Sequence, residues 1–311
     1  MGAETKIEWC HHTFNPWWGC QRVSPGCEHC YAEAFAKRVG QKVWGAETGR
    51  RLFGDKYWAE PVKWNKDARA AGERRRVFCA SMADVFEDRG DLASQREHLW
   101  RLIGATEWLD WLLLTKRPEN MVKMAPASWG QRWPRNVWAG TTVENQKAAE
   151  KRIPWLIEVP AAVRFLSCEP LLEAVNLDDV EPYYLQRDPH PHDPKVRLDC
   201  LRGHVKGPDD VVDEFRIQWV IVGGESGPGA RPFCLSWAYN IISDCEETGV
   251  PVFVKQLGAH PYRVTDEAED LNVYHPNDVA EWYRLKDRKG GTMSEWPSEY
   301  LRKREFPEVR P

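Results

Sequence analysis

Six short runs of apolar and β-branched residues recur through the chain: VFCAS (77–81), WLLLT (111–115), NVWAGT (136–141), VRFLS (163–167), WVIVGG (219–224) and VFVKQ (252–256). Each is continuous rather than alternating, as expected of a strand buried on both faces. Helical patterns fit between several of them, over 91–106, 144–158 and 236–249. Asp91 and Glu144 stand where the first residues of a helix belong, and Gly249 where a helix stops. Strands alternating with helices predict a parallel sheet. A further strand near His12–Phe14 brings the count to about seven β/α units. The fold class read from this is α/β, a partial or complete β/α (TIM-like) barrel. Ahead of the rhythm, the first sixty residues are turn-rich. There YAEAFAKRV, directly after Cys30, reads as a helix with Ala32, Phe35, Ala36 and Val39 on one face.

Two stretches break the pattern. Residues 176–216 are rich in Pro, Asp and His without periodicity, and read as an excursion from the barrel. Within them, His190, His192, Cys200 and His204 have irregular spacing that suits loop histidines better than a metal site. The tail is charged and spotted with Trp and Tyr, and reads as a peripheral helix from about 266. The expected organisation is a barrel over 1–260 and a C-terminal extension over 261–311.

Polar residues end each strand pattern: Ser81 and Asp84; Thr115, Lys116 and Arg117; Thr141, Thr142 and Glu144; Ser167 and Glu169; Glu225 and Ser226; Lys255 and Gln256. Strands must end in something polar, which accounts for part of this. In a β/α barrel, however, the loops at the carboxyl ends of the strands gather at one mouth, where chemistry is located.

Composition narrows the classes. The chain has 311 residues, 42% of them hydrophobic and 29% charged, which excludes wholesale disorder. No apolar run approaches the ~20 residues of a membrane span, and MGAETKIEW lacks a secretory pattern, so a cytoplasmic location with no membrane partner is expected. A net charge of −4 argues against a generally basic coat. Yet twelve Lys/Arg against six Asp/Glu make Tyr31–Arg76 locally basic. If Trp17, Trp18, Trp44, Trp58 and Trp64 are exposed, that segment suits stacked bases beside phosphates; packing in core or loops is the preferred reading for most of these tryptophans, and a solvated face stands equally against a phosphate-binding one for the cations.

The nine cysteines are an odd number, and intracellular cysteines serve metals or catalysis more often than disulfides. Cys20, Cys27 and Cys30 form C-x6-C-x2-C just ahead of the first helix. Structural zinc would need a fourth ligand, from Cys10, His11, His12 or His29. A four-iron cluster can be held by three thiolates, and unliganded thiols are a third reading. Placement after the first strand, opening the first helix, favours the cluster.

The strand, three-cysteine loop and helix in that order resemble the radical S-adenosylmethionine superfamily. TKIEW, NPWWGC-x-x-VSPGC-x-x-CYAE, CASMADVF, LLLTKRP, NVWAGTTVEN, RFLSCEPLL, WVIVGGESG and PVFVKQLG are similar to its phage-type three-cysteine-motif branch, often described as phage proteins of unknown function, and these stretches run from Thr5 to Gly258. Spore photoproduct lyase is a more distant likeness. The resemblance implies a [4Fe–4S] cluster on Cys20, Cys27 and Cys30, S-adenosyl-L-methionine as co-substrate, and a low-potential electron donor of flavodoxin or ferredoxin type. Given that cofactor, Ser81, Asp84, Thr141 and Glu144 at the strand ends are candidates to bond its ammonium or ribose, with a helix-start role the alternative for Asp84 and Glu144; Ser167 and Glu169 face cofactor or substrate, and His29 can pack against the adenine. Lys116 and Arg117 face the cofactor carboxylate or a substrate phosphate. Lys255 is the candidate hydrogen or proton donor, and Cys168 a radical-quenching donor. The substrate expected is a nucleic-acid base or nucleotide, in repair or modification. The alternatives are a zinc-stabilised nucleic-acid-binding module and a radical enzyme acting on a small metabolite or peptide. The chain departs from the superfamily in its longer first cysteine spacing, in His29 before the last cysteine, and in CASMADVF where a Gly-Gly-Glu is usual.

Overall fold

A computed structural model describes residues 5–181, 197–206, 211–212, 216–264 and 280–308. Seven strands form one sheet in chain order. They are β1 (His12–Thr13), β2 (Arg75–Cys79), β3 (Leu109–Thr115), β4 (Val137–Thr142), β5 (Val163–Cys168), β6 (Trp219–Gly223) and β7 (Val252–Gln256). The main helices are α1 (Tyr31–Arg38), α2 (Glu60–Ala71), α3 (Ala93–Gly104), α4 (Gln146–Ile157) and α5 (Leu235–Thr248). A sheet whose order follows the chain, with helices in the connections, has the topology of a partial β/α barrel. No described helix is long and apolar enough to cross a membrane.

The chain divides into two compact units, one built on Met1–Thr142 with Arg152–Phe165, the other on Val143–Lys151 with Leu166–Glu308. In the first, β1 to β4 pair in parallel, with His12 opposite Val77, Arg75 opposite Leu109 and Trp111 opposite Val137. Six of the seven β3 residues and all six of β4 are buried, which is why the sequence shows unbroken apolar runs there. Gly140 is required by packing: a Cβ at this position would lie 2.3 Å from the Phe165 ring. α1 ends at Arg38, one residue short of the expected pattern, so Ala32 and Ala36 are buried while Val39 is exposed.

In the second unit β6 and β7 pair in parallel, from Val220 opposite Val252 onward. α5 stops at Gly249, whose φ of +66° is the left-handed turn anticipated for it. α4 begins at Gln146, and the residue that caps it is Asn145, whose side chain accepts from the Ala148 N–H at 2.9 Å. Glu144 is not in that first turn; it is fully buried just before it.

Among the described residues of the 176–216 excursion, Arg197–Asp199, His204–Lys206 and Val211–Val212 form a small antiparallel sheet, and Leu198, Cys200 and Leu201 are buried beside it. Strands of two or three residues are too short to leave a periodic signature. His190 and His192 lie outside the described residues. Residues 265–279, where the peripheral helix is expected to begin, lie outside the described residues; over 280–308 the tail holds a strand, Ala280–Trp282, and two 3-10 turns. Gly290, Gly291, Pro297 and Pro307 interrupt it. Its last segment pairs antiparallel with β7, the Val254 N–H donating to Lys303 O at 3.0 Å and the Glu305 N–H to Val252 O at 3.1 Å, so that the open edge of the sheet is covered.

Candidate functional site

The three-cysteine loop leaves the sheet at a fixed angle. After β1, Trp17–Trp18 pairs antiparallel with Arg51–Leu52. Gly19 then turns with φ +117°, and a Cβ there would meet Val43 O at 2.2 Å, so only glycine fits. The Gly19 N–H donates to Met82 O at 3.0 Å, and Gly45 N–H donates to Cys20 O at 3.0 Å. A 3-10 turn over Pro25–Cys27 follows, and Cys30 is the N-cap residue of α1. The facing loop is clamped by Arg50, whose guanidinium forks onto Glu87 at 2.7 and 3.0 Å and donates to Val43 O at 3.1 Å, both side chains almost wholly buried. That clamp is silent in the sequence, where Arg50 looks like one cation in a basic run.

All three thiols are half-buried and free of disulfides. Burial pushes the Cys20 thiol up to about 12; Asp84 adds to this and Arg117 opposes it. Burial also raises Cys30, while the N–H groups of Glu33 and Ala32 at the start of α1 act the other way. The Cys27 thiol lies 3.8 Å from Ser24 Oγ. Among the described residues no three Cys, His, Asp or Glu side chains are gathered at metal-holding geometry.

Behind the loop stands a buried polar network. The Asp84 carboxylate accepts from Thr115 Oγ1 at 2.7 Å, Phe86 N at 3.0 Å, Lys116 N at 3.3 Å and Arg117 Nη1 at 2.8 Å. Arg117 in turn donates to Gln21 O at 2.8 Å and reaches Cys20 Sγ at 3.9 Å. Burial works against the Arg117 charge, but Asp84 and Cys20 more than offset it, so its pKa is raised. Both Asp84 oxygens are engaged by the chain's own donors. Lys116 Nζ donates to Thr142 Oγ1 at 3.2 Å, and the buried Thr141 hydroxyl donates to Thr115 O at 2.9 Å. Ser81 exchanges hydrogen bonds with the buried Asn15 side chain at 3.2 and 3.4 Å, and its carbonyl accepts from Tyr31 Oη at 2.8 Å. His29 is half-buried beside Cys30. Ser81, Asp84, Arg117 and the cysteine loop therefore belong to one connected set; Asn15 is the member sequence reading missed, within the FNP turn.

In the second unit, Lys255 Nζ pairs with Glu169 Oε1 at 2.5 Å, both side chains mostly buried at the ends of β7 and β5. Arg231 forks onto the buried Glu225 at 2.8 and 3.0 Å. Gln256 donates to Gly224 O at 2.9 Å. Ser167 and Cys168 are buried, and burial together with the Glu144 carboxylate pushes the Cys168 thiol up to about 12.

Of the two readings of the tryptophans, packing is the one that holds. Trp17, Trp18, Trp58 and Trp64 are between 0% and 7% exposed, and Trp44 is half-buried. Their faces are used internally, Trp64 stacked on His12 at 4.4 Å and Trp58 on His98 at 4.0 Å. The charge is at the surface: nine of the twelve cations between Tyr31 and Arg76 are exposed, Lys37, Lys56, Lys63 and Arg69 among them.

The donor set fits a thiolate-held iron–sulfur group. Three soft ligands sit in one loop with a cation behind them. Zinc needs a fourth ligand, and two of its four candidates have a donor atom engaged: Cys10 is buried and donates to Ile7 O, and His11 Nδ1 accepts from the Arg76 N–H at 2.8 Å; His12 is stacked on Trp64.

No curated protein matches the chain. Among solved structures, a spore photoproduct lyase mutant is 13% identical over 78% of this chain and 75% of its own, with a TM-score of 0.39. A double mutant of that lyase, with bound AdoMet and dinucleoside spore photoproduct, is 15% identical over 51% of this chain and 45% of its own, with a TM-score of 0.35. In another mutant the figures are 13%, 58%, 57% and 0.38, so the chain spans about half the length of these last two. Likeness of this degree carries no argument about this chain's chemistry. The family model described as "Protein of unknown function (DUF5131)" matches residues 4–291, and the chain belongs to that family.

Proposed function

We propose that this chain is a radical S-adenosylmethionine enzyme with Cys20, Cys27 and Cys30 as the ligands of a [4Fe–4S] cluster. The observation that carries the reading is the placement of three half-buried thiols in one loop. That loop follows the first strand of a parallel β/α sheet and is backed by Arg117 and Asp84. The motif resemblance from Thr5 to Gly258 supports it. When bound, cluster and S-adenosylmethionine together supply a 5′-deoxyadenosyl radical that takes hydrogen from a substrate, the protein's task being to orient them and exclude water. In this reading Ser81, Thr141 and His29 of the first unit serve the cofactor, while Asp84 acts through Arg117. Lys255, held by Glu169, stands ready as a proton or hydrogen donor, and Cys168 as a buried thiol donor.

Metal analysis of the anaerobically purified chain tests the cluster directly. About four irons and four sulfides per chain are expected from this cluster type, and one zinc without iron would mean a structural zinc module instead. The substrate class we propose is a nucleic-acid base or nucleotide, with a low-potential electron donor of flavodoxin or ferredoxin type as partner. The support for the nucleic acid is the exposed basic surface between Tyr31 and Arg76, since the buried tryptophans no longer contribute. Binding to single- or double-stranded DNA or RNA that weakens steeply with salt is expected. Absent binding at low salt removes this substrate class.

A further inference from the structure

Three cysteines share the loop, but their surroundings differ. Cys27 has a neighbour within the loop, Ser24 Oγ at 3.8 Å, and Cys30 is served by the N–H groups of Ala32 and Glu33 at the start of its own helix. The Cys20 sulfur has a side-chain contact with a cation carried by another strand end, Arg117 Nη1 at 3.9 Å. The same guanidinium holds the next residue's carbonyl, Gln21 O, at 2.8 Å, and is itself held by Asp84 Oδ2 at 2.8 Å. Asp84 is fixed from β3 by Thr115 Oγ1 at 2.7 Å and from its own turn by Phe86 N at 3.0 Å. Arg117 and Asp84 are 8% and 5% exposed, so their pair is shielded from water, where charge-assisted hydrogen bonds are strong and directional, while Cys20 is half-buried and Gln21 exposed.

We infer that Arg117 is a positioning residue for the metal group: it fixes Cys20 through Gln21 and, through its N–H toward the Cys20 sulfur, raises the reduction potential of the cluster held there. The inference rests on the cluster reading above. A donor aimed at a ligating sulfur stabilises the more negative, reduced state, and hydrogen bonds to sulfur are among the protein's means of setting such potentials. Lysine at 117 would keep a cation for Asp84 but lose the planar fork that serves Gln21 O and Cys20 together. Glutamine would leave Asp84 without its cation.

The test uses the full chain, wild type, Arg117→Lys and Arg117→Gln, reconstituted anaerobically with ferrous iron and sulfide. Melting of each apo-protein establishes folding; iron and sulfide per chain, loss of iron to a chelator, and the midpoint potential from a redox titration followed by electron paramagnetic resonance are then read. Both variants are expected to lose iron roughly 10-fold faster or more, and the cluster that remains is expected at a more negative potential. If Arg117→Gln does not fold, Arg117→Lys carries the comparison alone. A variant cluster with the wild-type potential overturns the inference, even if iron content falls, because that outcome leaves Arg117 a merely structural role. A wild-type chain that takes up no iron overturns the cluster reading itself, and this inference with it.

Discussion

His11 shows how one contact fixes a protonation state. Its Nδ1 accepts from the Arg76 N–H at 2.8 Å, which requires the neutral ring. Burial, with Arg76 and Arg75 nearby, lowers its pKa from 6.5 to about 4. Because the folded value lies below the unfolded one, the stabilisation is fully present above about pH 6.5 and is lost as pH falls toward about 4. The ring is half-exposed, so the contribution is about 1–2 kcal/mol after screening. Denaturant midpoints at pH 7 and pH 4.5 should show wild type losing about that much more than His11→Gln, whose amide oxygen can still accept from Arg76. Equal losses in the two proteins would contradict this account. The same reasoning applies to Asp84 and Arg117, where removing one partner of a buried pair costs about 3–5 kcal/mol. A substitution there must therefore be checked for folding before its chemistry is interpreted.

The elements most legible from sequence were those buried on both faces. β3 and β4 read directly from WLLLT and NVWAGT because nearly every one of their residues is buried. α5 read from its periodicity and from Gly249. Errors arose where one residue type suits two environments. Glu144 looked like a helix-start carboxylate, but Asn145 does the capping and Glu144 is buried. Tryptophans between lysines looked like stacking platforms, yet Trp58 and Trp64 are packed on histidines from distant parts of the chain. Periodicity cannot register such long-range partners, nor the strands of two or three residues within 176–216. Tertiary packing is just as specific at Gly140, where a methyl group facing the Phe165 ring would overpack the interior by about 1–3 kcal/mol.

Taken across the chain, the site was legible as a set of residue types at strand ends, but not as a network. The sequence offers Cys20, Asp84 and Arg117 spread over nearly a hundred residues, and only the fold of the first unit joins them, through Arg117. In the second unit the Lys255–Glu169 pair was anticipated residue by residue, and not as a pair. The net charge of −4 likewise conceals a basic surface between Tyr31 and Arg76. The central claim is that Cys20, Cys27 and Cys30 carry radical S-adenosylmethionine chemistry. It is tested most directly by incubating the anaerobically reconstituted chain with dithionite and S-adenosylmethionine and measuring 5′-deoxyadenosine. Product is expected from the wild-type chain, and none when Cys20, Cys27 or Cys30 is replaced by alanine. A wild-type chain that loads iron but forms no product, or product that survives all three replacements, would contradict it.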